Sequence, residues 1–173
     1  MADPRSEFDL YRAEILAALG GRDPLTVLTA TLDEIRALTA GAAAGVLGRA
    51  PAAGEWSPAQ VLSHLSDNDM VWGSRIRTIV TADRPLMVPY DQDRWTDRFG
   101  SLDASPTATL TRWVALREAN LAVWRSLDEA EWKRSGIHPE RGEQTVREIV
   151  TLLGGHDVVH IDQLRRGLAA ATA

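Results

Sequence analysis

Three histidines have the residue type and spacing to act together. His156 and His160 are spaced i, i+4 in His156-Asp157-Val158-Val159-His160, so on a helix both rings project from one face. His64 lies far upstream, in Ser57-Pro58-Ala59-Gln60-Val61-Leu62-Ser63-His64-Leu65. Neutral imidazole is the commonest nitrogen ligand for transition metals, and two on one helical turn make half a site. A third from another helix leaves coordination positions open, as a catalytic metal requires. Such a metal lowers the pKa of a bound water to ~7, giving a hydroxide nucleophile. It can equally hold a thiol as thiolate. The chain has no cysteine, so a sulfur nucleophile would have to come from a co-substrate. A lone histidine beside an apolar stripe is more often structural. The argument for a metal rests on three of the four histidines falling together.

That depends on the elements that carry them. Asp23-Pro24 reads as an N-cap followed by proline at the first helical position, ahead of the stripe Val27, Leu28, Leu32, Ile35, Leu38. Ser57-Pro58-Ala59-Gln60 is a capping box with Trp56 placed to staple onto Val61, and the stripe Val61, Leu62, Leu65, Trp72, Ile76, Ile79 runs to about Thr81. Ser105-Pro106 opens a third helix with Leu110, Trp113, Leu116, Leu121 and Trp124. Thr145-Val146-Arg147-Glu148 is a second capping box, opening a helix with Ile149, Val150, Leu153, Ile161, Leu164 and Leu168. Residues 6–19 form a short extra N-terminal helix. No long run alternates with period two, so no strands are expected. The fold class is all-α, a four-helix bundle in one domain spanning residues 1–173.

The connections set the topology. Some twenty residues, from Ala82 to Ala104, join the second and third helices. An extended chain covers ~3.3 Å per residue and a helix of ~25 residues is ~38 Å long, so this loop can cross the bundle and leave those helices parallel. The expected order is up, down, down, up. Helices two and four are then antiparallel. His64, ~10 Å from the start of its helix, meets His156 and His160, ~18 and ~12 Å from the end of theirs.

Metal-bound imidazoles usually donate their other N–H to a polar neighbour. Asp67, Asn68, Asp157 and Gln163 have the spacing for that role. Arg75, Arg112 and Arg117 could recognise carboxylates of a substrate or thiol. The long loop carries Tyr90, Asp91, Asp93, Arg94, Trp95 and Phe99, which either cover the bundle mouth or pin the loop. The substrate-binding candidates are Arg75, Tyr90, Asp91, Trp95 and Arg117. Trp72, Trp113 and Trp124 lie on core stripes and need no function. His138, in Gly136-Ile137-His138-Pro139, reads as a surface residue.

Bulk properties narrow the classes. With 173 residues, 45% hydrophobic and a net charge of -5, the chain can bury a core and shows no electrostatic footprint for nucleic acid. No apolar run approaches the ~18 residues that span a bilayer, and the start lacks a signal-peptide core, so the expected location is cytoplasmic, off the membrane. A zincin would need His-Glu-x-x-His, and Asp157 stands in the glutamate's place. A ferritin-like di-iron site would need two Glu-x-x-His motifs, which are missing.

The segment Gly54-Glu55-Trp56-Ser57-Pro58…Val61-Leu62-Ser63-His64-Leu65 resembles the helix-two signature of the DinB-like superfamily. So does Thr145-Val146-Arg147-Glu148-Ile149…His156-Asp157-Val158-Val159-His160-Ile161-Asp162-Gln163. Tyr90-Asp91-Gln92-Asp93-Arg94-Trp95 and Leu116-Arg117-Glu118-Ala119-Asn120-Leu121 resemble further stretches of its DinB_2 branch. The resemblance spans roughly Asp23 to Gly167. It implies the up-down-down-up bundle, a homodimer, and one divalent metal per chain on His64, His156 and His160. Zinc or nickel is the expected ion, with iron or manganese as further candidates. The superfamily includes mycothiol-dependent maleylpyruvate isomerase and transferases of bacillithiol and related thiols, while other members carry only the label of metal-dependent hydrolase. The expected function is transfer of a small thiol, of mycothiol or bacillithiol type, to a small-molecule electrophile. The alternatives are hydrolysis by metal-bound water and a non-enzymatic metal-binding dimeric module.

Overall fold

The structure is a computed structural model that describes residues 4–100 and 106–172. Its elements in chain order are α1 (Pro4–Leu19), α2 (Pro24–Thr39), α3 (Ala44–Leu47), α4 (Pro58–Thr81), α5 (Gln92–Phe99), α6 (Pro106–Ser126), α7 (Glu129–Trp132), β1 (Ser135–His138), β2 (Gly142–Thr145) and α8 (Val146–Thr172). The caps read from the sequence form. The Asp23 carboxylate accepts from Thr26 N–H at 2.7 Å. Ser57 and Gln60 close a reciprocal capping box. Thr145 and Glu148 close another, at 2.8 and 3.2 Å. Ser105, expected to cap α6, lies outside the described residues.

Long-range contacts along the helices fix their directions. Ser66 meets Arg112, Asp69 meets Arg117, and Gly73 and Arg77 meet Asn120, so α4 and α6 run parallel. Pro58 touches Gly167 while His64 touches His156, so α4 and α8 run antiparallel. Pro24 lies against Gly154, Thr31 against Asp157 and Glu34 against Arg165, so α2 and α8 are parallel. The four long helices therefore run up, down, down, up. Their stripes meet in one core that includes Leu28, Ile35, Leu62, Leu65, Ile76, Trp113, Trp124, Ile149 and Leu164, all essentially inaccessible. Among the described residues no helix is long and apolar enough to cross a membrane.

Two elements depart from expectation. The long connection is not all loop: Asp91 caps α5, accepting from Arg94 N–H at 3.0 Å. Strands do occur, as an antiparallel hairpin pairing Ser135 with Thr145 and His138 with Gly142. Gly142 takes φ of +77°, a conformation that suits glycine, and closes the turn. Ile137 also exchanges backbone hydrogen bonds with Pro85 and Met87, at 2.9 and 2.8 Å, so the hairpin anchors the long connection to the head of α8.

Candidate metal centre and cleft

α4 and α8 bring the three histidines together, each offering a ring nitrogen within 4.8 Å of the others. Ring centroids are 5.1 Å apart for His64 and His156, 4.6 Å for His64 and His160, and 4.3 Å for His156 and His160. His64 and His156 are buried and His160 half-buried. Burial pushes the His64 pKa down to about 3, with the neighbouring His160 adding to it. His156 is held well below the ordinary histidine value by burial, then by His160 and His64. His160 is also lowered by burial, against the bond its Nδ1–H donates to Gln163 and the charge of Asp157. All three are therefore neutral near pH 7, with lone pairs available.

A metal fits this donor set. Nε2 of His64 and Nε2 of His156 face each other at 3.0 Å, where at most one proton can sit between them. The other ring nitrogen of His64 is buried with no hydrogen-bond partner among the described residues. Neutral nitrogens crowded this way are stabilised by an electron-pair acceptor, which a divalent ion provides. Nδ1 of His160 lies 2.7 Å from Oε1 of Gln163, which sets its tautomer and leaves Nε2 as the lone-pair nitrogen. The indole of Trp56 lies against His64 at 4.9 Å and stacks on His160 at 6.2 Å and 14°. Trp56 was read only as a staple, and its place before the Ser57 cap is what puts it over the site.

The other candidates divide. Asn68 lies beside the site, its amide 3.5 Å from Nδ1 of His156 and accepting from the Tyr90 hydroxyl at 3.4 Å. Burial keeps the Tyr90 phenol protonated, and the charge of Asp67 adds to this. Asp157 does not turn to a histidine. Its carboxylate takes Nη1 and Nη2 of Arg117 at 2.5 and 3.0 Å and the Thr31 hydroxyl at 2.8 Å. Arg117 is correspondingly no substrate ligand: it is 1% exposed and clamped between Asp157 and Asp69. Arg112 donates to the Ser66 hydroxyl at 2.9 Å.

Beside His156 opens a cleft of about 900 Å³, within the range of small-molecule sites. Arg75, Tyr90 and Asp91 line it, as expected. Trp95 instead stands behind Tyr90, edge-on at 5.0 Å, and packs on Phe99 at 6.4 Å. The cleft also takes residues that were not anticipated there, among them Phe8 and Tyr11 from α1, His138 and Arg141 from the hairpin, and Trp72, expected only in the core. His138 is buried rather than on the surface, 3% exposed, and accepts from Glu140 N–H at 3.3 Å. Burial, then Arg141 and Arg75, push its pKa down to about 4. The strand turns His138 inward with Gly136, an alternation too short to register in the sequence.

The sequence profile of the DinB superfamily, in its DinB_2 form, matches residues 28–164. The chain belongs to the DinB superfamily. "Putative metal-dependent hydrolase YfiT" of Bacillus subtilis is 30% identical over 122 residues, 65% of this chain and 66% of that protein. The chain thus spans just under two thirds of that relative's length. A "Putative metal-dependent hydrolase" of Geobacillus thermodenitrificans is 30% identical over 141 residues, 78% of each chain. The solved structure described as "YfiT from Bacillus subtilis is a probable metal-dependent hydrolase with an unusual four-helix bundle topology" superposes with a TM-score of 0.74 at 25% identity, over 83% of this DinB chain and 84% of that one.

Proposed function

We propose that this DinB protein is a metal-dependent transferase that adds a low-molecular-weight thiol, of mycothiol or bacillithiol type, to a carbon electrophile. The observation that carries the reading is the cleft: at about 900 Å³ and opening on His156, it has room for a thiol and a second reactant side by side. A divalent ion, zinc or nickel, held by His64, His156 and His160 would supply Lewis acidity, so that a thiol bound to it ionises near neutral pH.

The protein's own residues do the rest. Neutral imidazoles keep their lone pairs for ligation, and Gln163 orients His160. Trp56 covers the histidines on the side facing the start of α4. Asn68 and Tyr90 link the histidines to the cleft wall. In the reaction the thiol proton leaves to solvent through the cleft mouth. The sulfur electron pair then forms the new C–S bond, and the leaving group departs with the pair of the bond that breaks. With no cysteine in the chain, the enzyme offers no competing thiol.

Hydrolysis is a second reading, supported by the names of the relatives. A base beside the attacking water would assist it, and the carboxylate between the paired histidines, Asp157, is bound to Arg117 and Thr31 and is not that base. Water held by a divalent ion would ionise near neutral pH without one, so the two readings are separated by assay. The deciding assay gives metal-loaded protein a chloromethyl electrophile with mycothiol, bacillithiol or glutathione, and separately an ester and an amide without thiol. Thiol conjugation should depend on metal and persist below the free thiol's pKa of ~8.5. Ester or amide cleavage with none of the three conjugations would establish hydrolysis instead. Metal binding with neither activity would leave a non-enzymatic module.

A further inference from the structure

Arg75 and Arg141 are enclosed in the cleft without the acidic partners that the protein gives its other buried arginine. Arg75 comes from α4 and is 7% exposed, while Arg141 comes from the hairpin turn and is half-buried. Both guanidinium carbons lie over Trp72, at 4.4 and 5.9 Å from its ring centroid, so the two cations share one wall. Arg75 donates to the Val88 carbonyl, and Arg141 packs on Phe8 at 4.9 Å. Among the described residues neither is in an ion pair, whereas Arg117 has two. The acids that face the cleft, Asp91, Asp93 and Glu140, are all exposed at its mouth. Asp91 is already committed to capping α5 and to Arg94 at 3.6 Å. Asp67 acts on Tyr90, and Glu140 on Arg141.

Burying charge without a counter-charge is costly, and burial holds each arginine below its ordinary pKa. For Arg75 the charge of Arg141 adds to this, whereas Tyr11 and Glu140 only partly offset it for Arg141. A ligand that brings a negative charge relieves both. The guanidinium fork matches the two oxygens of a carboxylate. The phenol of Tyr11, pushed up to about 12 by burial, stays protonated and can donate to the same group. Leu152, Leu153 and the rings of Phe8 and Trp72 give the same cleft an apolar lining.

The geometry points to a carboxylate-binding subsite at Arg75 and Arg141, and hence to a reactant that joins a carboxylate to an apolar body. The inference rests on this cleft being the reaction site, as proposed above, but needs no particular reaction. It is tested by binding alone. Metal-loaded protein is titrated with 4-phenylbutyrate, 4-phenylbutanamide and butyrate, followed by calorimetry and tryptophan fluorescence. Phenylbutyrate should bind at least tenfold more tightly than either the amide, which lacks the charge, or butyrate, which lacks the apolar body. Arg141→Gln should weaken phenylbutyrate at least tenfold with metal content unchanged, and Arg141→Lys should weaken it less. Equal affinity for acid and amide would overturn the subsite. So would unchanged affinity in Arg141→Gln, which would place the carboxylate on the metal. A protein that conjugates thiols but binds acid and amide alike would lose the subsite and keep the function. One that binds the acid selectively but conjugates nothing would do the reverse.

Discussion

At the scale of single residues, the three histidines are not equivalent. His160 has its tautomer set by Gln163, His156 borders Asn68, and His64 has a buried nitrogen with no hydrogen-bond partner among the described residues. His160→Ala should lose most of the bound metal, read by elemental analysis. Gln163→Leu should keep the site but weaken metal affinity by about 10- to 100-fold, the usual cost of losing an orienting partner. Unchanged affinity there would mean that Gln163 does not orient the ligand. His138 supplies a pH prediction away from the metal. Its folded pKa, about 4, lies below the ordinary 6.5, so the unfolded chain takes up a proton that the folded state refuses. Its contribution to stability is complete above pH 6.5 and drains away as the pH falls toward 4. Urea midpoints at pH 7 and pH 4.5 should therefore differ less in His138→Asn than in the parent protein. Parallel losses in the two proteins would refute a buried neutral His138.

At the scale of elements, the helices that carry the histidines were readable because their ends are marked by Asp23-Pro24, Ser57–Gln60 and Thr145–Glu148 and their stripes are long. The elements that complete the cleft were not. α5 is eight residues with only Thr96 buried, too short and polar for apolar periodicity to register. Each hairpin strand is four residues, below the length at which alternation stands out. Arg117 was misread although the pattern held a clue. It sits four residues after Trp113 and four before Leu121, both buried, while neighbouring Leu116 is only partly so. Asp69 and Asp157 occupy matching core positions, after Leu65 and Leu153, so three charges on three stripes foretell a buried cluster. That cluster ties α6 to α4 and α8. Breaking such a pair from one side strands a charge, so Arg117→Met should destabilise by about 3–5 kcal/mol in urea unfolding. A loss below 1 kcal/mol would show that the carboxylates find other partners. Gly155 makes the opposite point, since its value lies in what it lacks. An added Cβ would stand 2.1 Å from the Ile15 carbonyl oxygen, so Gly155→Ala should push α1 off α8 and expose it to limited proteolysis.

At the scale of the whole molecule, a metal bound only by the folded state must stabilise it. At an ion concentration one hundred times its dissociation constant the gain is about 2.7 kcal/mol, or roughly 5–11 °C in Tm for a chain of this size. Chelator should reverse it, and a Tm indifferent to zinc and nickel would argue against a folded metal centre. The homodimer implied by the resemblance is checked by sedimentation, which should read twice 18.9 kDa. The placement of α1 has a consequence for how the molecule could diversify. The superfamily match begins at Leu28, yet α1 supplies Phe8 and Tyr11 to the cleft while contributing none of the three histidines. The candidate metal centre and part of the cleft wall are thus written in separate stretches of chain that touch along one helix. Grafting the leading helix of a relative onto α2 would exchange a wall of the cleft without rebuilding the three histidines. Under the proposed function, selectivity could therefore drift, or be engineered, faster than the chemistry it would serve.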